Sequence, residues 1–171
     1  DDAKGVRQEK GYQPTCELHY RAFWNQGIPV DVISEDCDFS GYRLLIAPML
    51  YMVKPSVAKR MEQFVENGGT LVTTYWSGIV DENDLCFLGG FPGPLRRLMG
   101  IWSEEIDSLY DGECNFAVPA AGNPLSLKGE YQAVEMLDLI HAETAQVLAS
   151  YKTDFYQGRP ALTVNSFGKG K

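Results

Sequence analysis

At 171 residues, with 44% hydrophobic and 22% charged side chains, the chain has the composition of a soluble globular protein with one sizeable core, which excludes disordered and fibrous classes. Its formal net charge of −8 is spread along the sequence instead of gathered in a tail, which argues against nucleic acid as a partner. No window reaches the roughly 18 apolar residues of a membrane span, and Asp1-Asp2-Ala3-Lys4 does not open a signal peptide.

In chain order, residues 1–11 are polar, lack apolar periodicity and read as a frayed lead-in. Leu18, Ala22 and Phe23 recur at helical spacing beside Tyr20 and Trp24, which predicts a helix over 14–26 stopped at Gly27. Ile28 to Ile33 reads as a short strand after a proline entry, and Leu44-Leu45-Ile46-Ala47 as a strand buried on both faces of a parallel sheet. Pro55 suits a first helical position, and Val57, Met61, Phe64 and Val65 then line one face until Asn67-Gly68-Gly69 breaks the pattern. Thr70 to Thr74 is rich in β-branched residues and completes a strand-helix-strand unit, which implies a parallel sheet.

Beyond Tyr75 the chain changes character. Gly78, Gly89, Gly90, Pro92, Gly93 and Pro94 punctuate a long loop, with one short helix predicted over 94–99. Segments 101–110, 115–118, 131–134, 147–151 and 161–165 read as added antiparallel strands. No apolar strand precedes the first helix, and the chain stops at Phe167-Gly168-Lys169-Gly170-Lys171, a turn awaiting another strand, so the sequence is expected to be excised from a longer protein.

The search for chemistry yields no complete site. Cys16, Cys37, Cys86 and Cys114 include no C-x-x-C pair and are expected to be reduced, packed thiols, which points to the cytoplasm. Asp81, Glu82 and Asp84 are dense enough to attract a hard cation but lack the calcium-loop spacing, and neighbouring loop carboxylates have no defined separation across a sugar. Class I glutamine amidotransferase-like domains share the strand-helix-strand arrangement and place a cysteine at the sharp turn after the third strand. Here that turn holds Tyr75 and Trp76, while Cys86 lies later in an apolar setting that favours an inert thiol, with only His19 and His141 as candidate bases. Trp24, Trp76 and Trp102 could stack on sugars, although tryptophan serves cores and interfaces equally well.

Several segments carry a resemblance. Tyr20-Arg21-Ala22-Phe23-Trp24, residues 27–33, 47–53 and 64–69, the run Thr73-Thr74-Tyr75-Trp76-Ser77-Gly78-Ile79-Val80-Asp81-Glu82-Asn83-Asp84, and Gly90-Phe91-Pro92-Gly93-Pro94-Leu95 together resemble the middle domain of bacterial family-42 β-galactosidases. Asp154-Phe155-Tyr156 through Gly170 resembles that domain's end, so the likeness covers residues 12–171 as one unit.

The resemblance implies an α/β fold: an amidotransferase-like, flavodoxin-like parallel sheet flanked by helices, with additional antiparallel strands in the C-terminal part. It implies a homotrimer-forming role in a cytoplasmic enzyme that hydrolyses terminal β-D-galactosides, with both catalytic glutamates on a separate TIM barrel. No catalytic, cofactor-binding or metal-binding residue is then expected here. The partners would be further copies of the chain and that barrel, not nucleic acid or membrane. An apolar, aromatic patch of Met49, Leu50, Tyr51, Met52, Tyr75, Trp76 and Phe91 at one end of the sheet is the expected subunit contact. Two alternatives stand beside it: a small enzyme using Cys86 and a histidine, and a sugar-binding module using its tryptophans.

Overall fold

The computed structural model describes residues 11–171, so the lead-in expected over 1–11 lies, apart from Gly11, outside the described residues. Helix α1 (Tyr12–Trp24) begins after Gly11, whose carbonyl accepts hydrogen bonds from the Thr15 amide (3.1 Å) and hydroxyl (2.7 Å). It ends where Gly27, at φ 69°, turns the chain. None of its residues is buried, and Leu18 and Trp24 are 69% and 63% exposed.

The strand-helix-strand unit forms, although residues 44–47 are not buried on both faces as expected: Leu44 is 36% exposed and the other three are half-buried. Strand β1 (Leu44–Ala47), helix α2 (Pro55–Glu66) and strand β2 (Thr70–Thr73) follow one another, with Leu44 opposite Thr70 and Ala47 opposite Thr73 in parallel register. The inner face of α2 buries Val57, Ala58, Met61, Phe64 and Val65 against Phe39, Val53, Leu71, Leu95 and Leu98. Each large apolar side chain removed from water there contributes about 1.5–3 kcal/mol. Lys171 lies along the other side of β2, donating its amide to Gly69 O and accepting from Leu71 N.

The expected amidotransferase-like parallel sheet is not what the chain builds. Among the named strands of the described residues only β1 and β2 pair in parallel, and the six later strands are antiparallel. A short 3-10 turn (Gly93–Leu95) and α3 (Arg96–Met99) lead into β3 (Ile101–Ser108), which pairs with β6 (Met136–Ala142). Strands β4 (Asn115–Pro119), β5 (Tyr131–Ala133), β7 (Gln146–Tyr151) and β8 (Pro160–Val164) form a four-stranded sheet in the order β5-β4-β7-β8. The structure is therefore a mainly antiparallel domain with few helices, not a flavodoxin-like α/β fold.

Two local reasons explain the difference. The strand expected at Ile28–Ile33 makes no sheet pairing; Ile28 and Val32 are 44% and 87% exposed, and Ile33 packs against the core. Conversely, β6 buries Leu137, Leu139 and Ile140 although Asp138 and His141 interrupt its apolar run, and the sequence reading missed it. A second cluster, Leu109, Leu137, Leu139, Tyr151 and Tyr156, forms beneath these strands, separate from the cluster around α2.

Candidate assembly surface

The loops that leave β1 and β2 are sewn together by polar groups. Met49 N donates to Thr74 Oγ1 (2.8 Å), Leu50 N to Ser77 Oγ (3.1 Å), and Ser77 Oγ in turn to Thr74 O (2.8 Å). Gly78 N donates to Leu50 O (2.7 Å) and Ile79 N to Tyr51 O (2.9 Å), while Met52 and Val80 form a parallel bridge. Apolar loops normally cost buried, unpaired backbone groups; here Thr74 and the 95%-buried Ser77 satisfy them.

This scaffold sorts the expected contact residues. Met49 is only 5% exposed and supports the loop from beneath, so the structure does not present it on the surface. Tyr51 and Met52 are 37% and 40% exposed. Leu50, Tyr75, Trp76 and Phe91 are half-buried. Trp76 meets the Tyr51 ring edge-on at 5.3 Å, and Phe91 bridges to Ser103 in β3. The loop pair thus brings Tyr51, Met52 and Trp76 together.

The same loop supplies two residues that sequence reasoning missed. Leu85, on the hairpin that Val80 and Cys86 close, is 64% exposed, and Leu88, two residues beyond Cys86, is 98% exposed. Their signal was the run Leu85-Cys86-Phe87-Leu88, in which only Phe87 turns inward to the core. Isolated exposed leucines are ordinary, and Leu85 and Leu88 add exposed apolar surface to this loop.

The acidic group resolves into local structure. The Asp81 carboxylate accepts the amides of Asn83 (2.8 Å) and Leu85 (3.1 Å), and those hydrogen bonds hold its pKa below the usual carboxylate value. Asp138 shows the opposite shift: burial pushes its carboxyl up to about 6, against the opposing effect of the Trp76 amide.

The remaining candidates are dispersed. Cys86 is exposed, as are Cys37 and Cys114, so the expected packing of these thiols is not found; all four cysteines are free. Cys86 is tied to the Val80 hairpin, whereas His141 bonds Glu104 (2.7 Å), contacts Arg159 and stacks on Trp102 at 4.7 Å. His19 sits on α1. Trp24 stacks on Tyr20, so each tryptophan has an aromatic neighbour within the chain. Among the described residues no group of three or more His, Cys, Asp or Glu could hold a metal ion, and no helix is long and apolar enough to cross a membrane.

Comparison with known proteins identifies the family. The Beta-galactosidase trimerisation domain family model matches residues 1–171. Beta-galactosidase Pbg of Clostridium perfringens is 63% identical over all of this chain, and Beta-galactosidase BglY of Alicyclobacillus acidocaldarius is 58% identical. In both cases the chain spans 25% of the relative's length. A crystal structure of a β-galactosidase from Rahnella sp. R3 superposes with a TM-score of 0.91 at 58% identity, covering 93% of this chain and 23% of that one. A β-galactosidase structure from Bacillus circulans sp. alkalophilus gives 0.90 at 51% identity over 93% of this chain and 23% of that one. The chain belongs to the β-galactosidase trimerisation domain family.

Proposed function

We propose that this chain is the homotrimer-forming region of a bacterial, cytoplasmic enzyme that hydrolyses terminal β-D-galactosides. It acts as one unit over residues 12–171 within a longer protein. A separate TIM-barrel domain supplies the catalytic glutamates, and the role of this chain is to hold copies together. Support comes from the family match and from relatives that are named β-galactosidases.

The contact face in this reading is the loop pair, with Tyr51, Met52 and Trp76 as anchors, Leu50, Tyr75 and Phe91 flanking them, and Met49 as internal support. The observation that carries it is the exposure of Tyr51 and Met52 on loops tied together by hydrogen bonds from the amides of Met49, Leu50, Gly78 and Ile79. Aromatic side chains bind with little loss of conformational freedom, and methionine adapts its shape to the surface it meets. Three-fold assembly uses a heterologous contact, so this patch meets a different surface on the next copy.

Size-exclusion chromatography with light scattering, run as a dilution series, tests it. Three chain masses at low concentration are expected. A monomer at every concentration would count against this chain carrying its own contact face.

A further inference from the structure

The turn at the centre of the proposed contact face is held from below by a group that the assembly reading does not use. Trp76 adopts φ 58°, a left-handed conformation that a bulky side chain rarely takes and that persists only when its surroundings enforce it. The backbone N–H of Trp76 points between the two carboxylate oxygens of Asp138, each 3.3 Å away. Asp138 lies in the middle of β6, opposite Ile106 of β3 and between the buried Leu137 and Leu139. It is thus the polar tie between the antiparallel strands and the loop that presents Trp76 to Tyr51.

We infer that Asp138 is a positioning residue for the contact face: its ionised carboxylate holds the Trp76 turn, and its protonation loosens that turn and weakens self-association. This rests on the assembly reading above. A carboxylate accepts an amide more strongly than a neutral carboxyl does. Burial, which pushes the Asp138 carboxyl up to about 6, places the change near neutral pH instead of in strong acid.

The groups facing Asp138 do not supply the same response. Tyr151 of β7 donates its hydroxyl to the Asp138 carbonyl oxygen (3.3 Å), and its own ionisation is pushed far above neutral pH by burial. Beyond it Tyr156 donates to Asp107 of β3 (2.9 Å). On the loop side the group that meets the carboxylate is the Trp76 amide. His141, on the same strand, is engaged by Glu104 and Arg159, and any contribution from it persists when Asp138 is changed.

Two measurements on the same sample test the inference. With 15N-tryptophan labelling, only Trp24, Trp76 and Trp102 give backbone amide signals from labelled residues, and Trp76→Phe assigns the one of interest. The Trp76 amide proton should move upfield as pH falls from about 7.5 to about 5, with a midpoint near 6, and should stay still in the isosteric Asp138→Asn variant. Over the same range the dissociation constant of the wild-type assembly should rise about fivefold or more, and that of Asp138→Asn should not follow it.

A Trp76 amide that titrates identically in both proteins overturns the inference, as does a wild-type assembly whose pH response matches that of the variant. Either result leaves the assembly reading standing if the chain is trimeric. A chain that is monomeric throughout overturns the assembly reading and the regulatory half of this inference, while the amide signal still decides whether Asp138 positions the turn.

Discussion

A β-carbon on Gly78 would lie 2.3 Å from the carbonyl oxygen of Pro92. Gly78 also has φ 64°, so glycine is required there twice over: by the left-handed backbone and by the close approach of the segment that carries Phe91. That contact locks the Gly90–Gly93 loop onto the turn containing Trp76 and Ser77.

Gly78→Ala is therefore expected to destabilise the chain by about 2 kcal/mol or more, the sum of a positive-φ penalty and a backbone clash that no side-chain movement relieves. Urea unfolding followed by circular dichroism measures it. A loss below about 0.5 kcal/mol would show that the Pro92 segment can move away freely.

Asn115 offers a second test, in the other half of the molecule. It is 1% exposed; its side-chain nitrogen donates to Thr153 O (2.9 Å), and its oxygen accepts from Thr153 N (3.1 Å), Thr153 Oγ1 (3.0 Å) and Phe116 N (2.7 Å). Asn115→Leu removes all of these partners at once inside a buried site. A loss of about 2–3 kcal/mol is expected, whereas an exposed substitution such as Leu162→Thr should change stability by about 0.5 kcal/mol or less.

The proposed contact face predicts a contrast between neighbours. Met52→Asp places a charge on an exposed anchor and should release monomers while the fold survives. Met49→Asp buries a charge and should unfold the chain. Val32→Asp, at a residue 87% exposed and away from the loops, should alter neither property. Light scattering and thermal melting of the three variants together check this; a trimer retained by Met52→Asp would move the contact elsewhere.

Asp138 also affects folding, with its own sign. Because burial raises its folded-state pKa to about 6, above the ordinary 3.8 of an aspartate, the folded chain binds more protons than the unfolded chain between those values. The stabilisation linked to this proton is present at the acid end and is lost as pH rises through about 6. The stability of wild type relative to Asp138→Asn should therefore fall from about pH 4 to about pH 6.5 and be level above that. Urea midpoints for both proteins across that range test it, and a difference that rises with pH would reverse the assignment.

Much of the local structure was legible in the residues. The 3.6-residue spacing of Val57, Met61, Phe64 and Val65 after Pro55 determined α2, because one face of a helix has to leave water. A continuous apolar run marked β1, a β-branched run marked β2, and Gly27 marked the end of the first helix. The likeness of the loop from Thr73 to Asp84 pointed to the family.

Tertiary structure decided how those pieces combine. Whether Ile28–Ile33 joins a sheet depends on a strand being there to pair with it, and no local pattern reports that. Strand β6 was hidden because Asp138 and His141 look solvent-facing until their partners, the Trp76 amide and the Glu104 carboxylate, are seen to come from 62 and 37 residues away. The same holds for Met49 and Met52, alike in sequence and three residues apart. Only the packing of the β1 loop over Thr74 turns one inward as support and leaves the other at the surface.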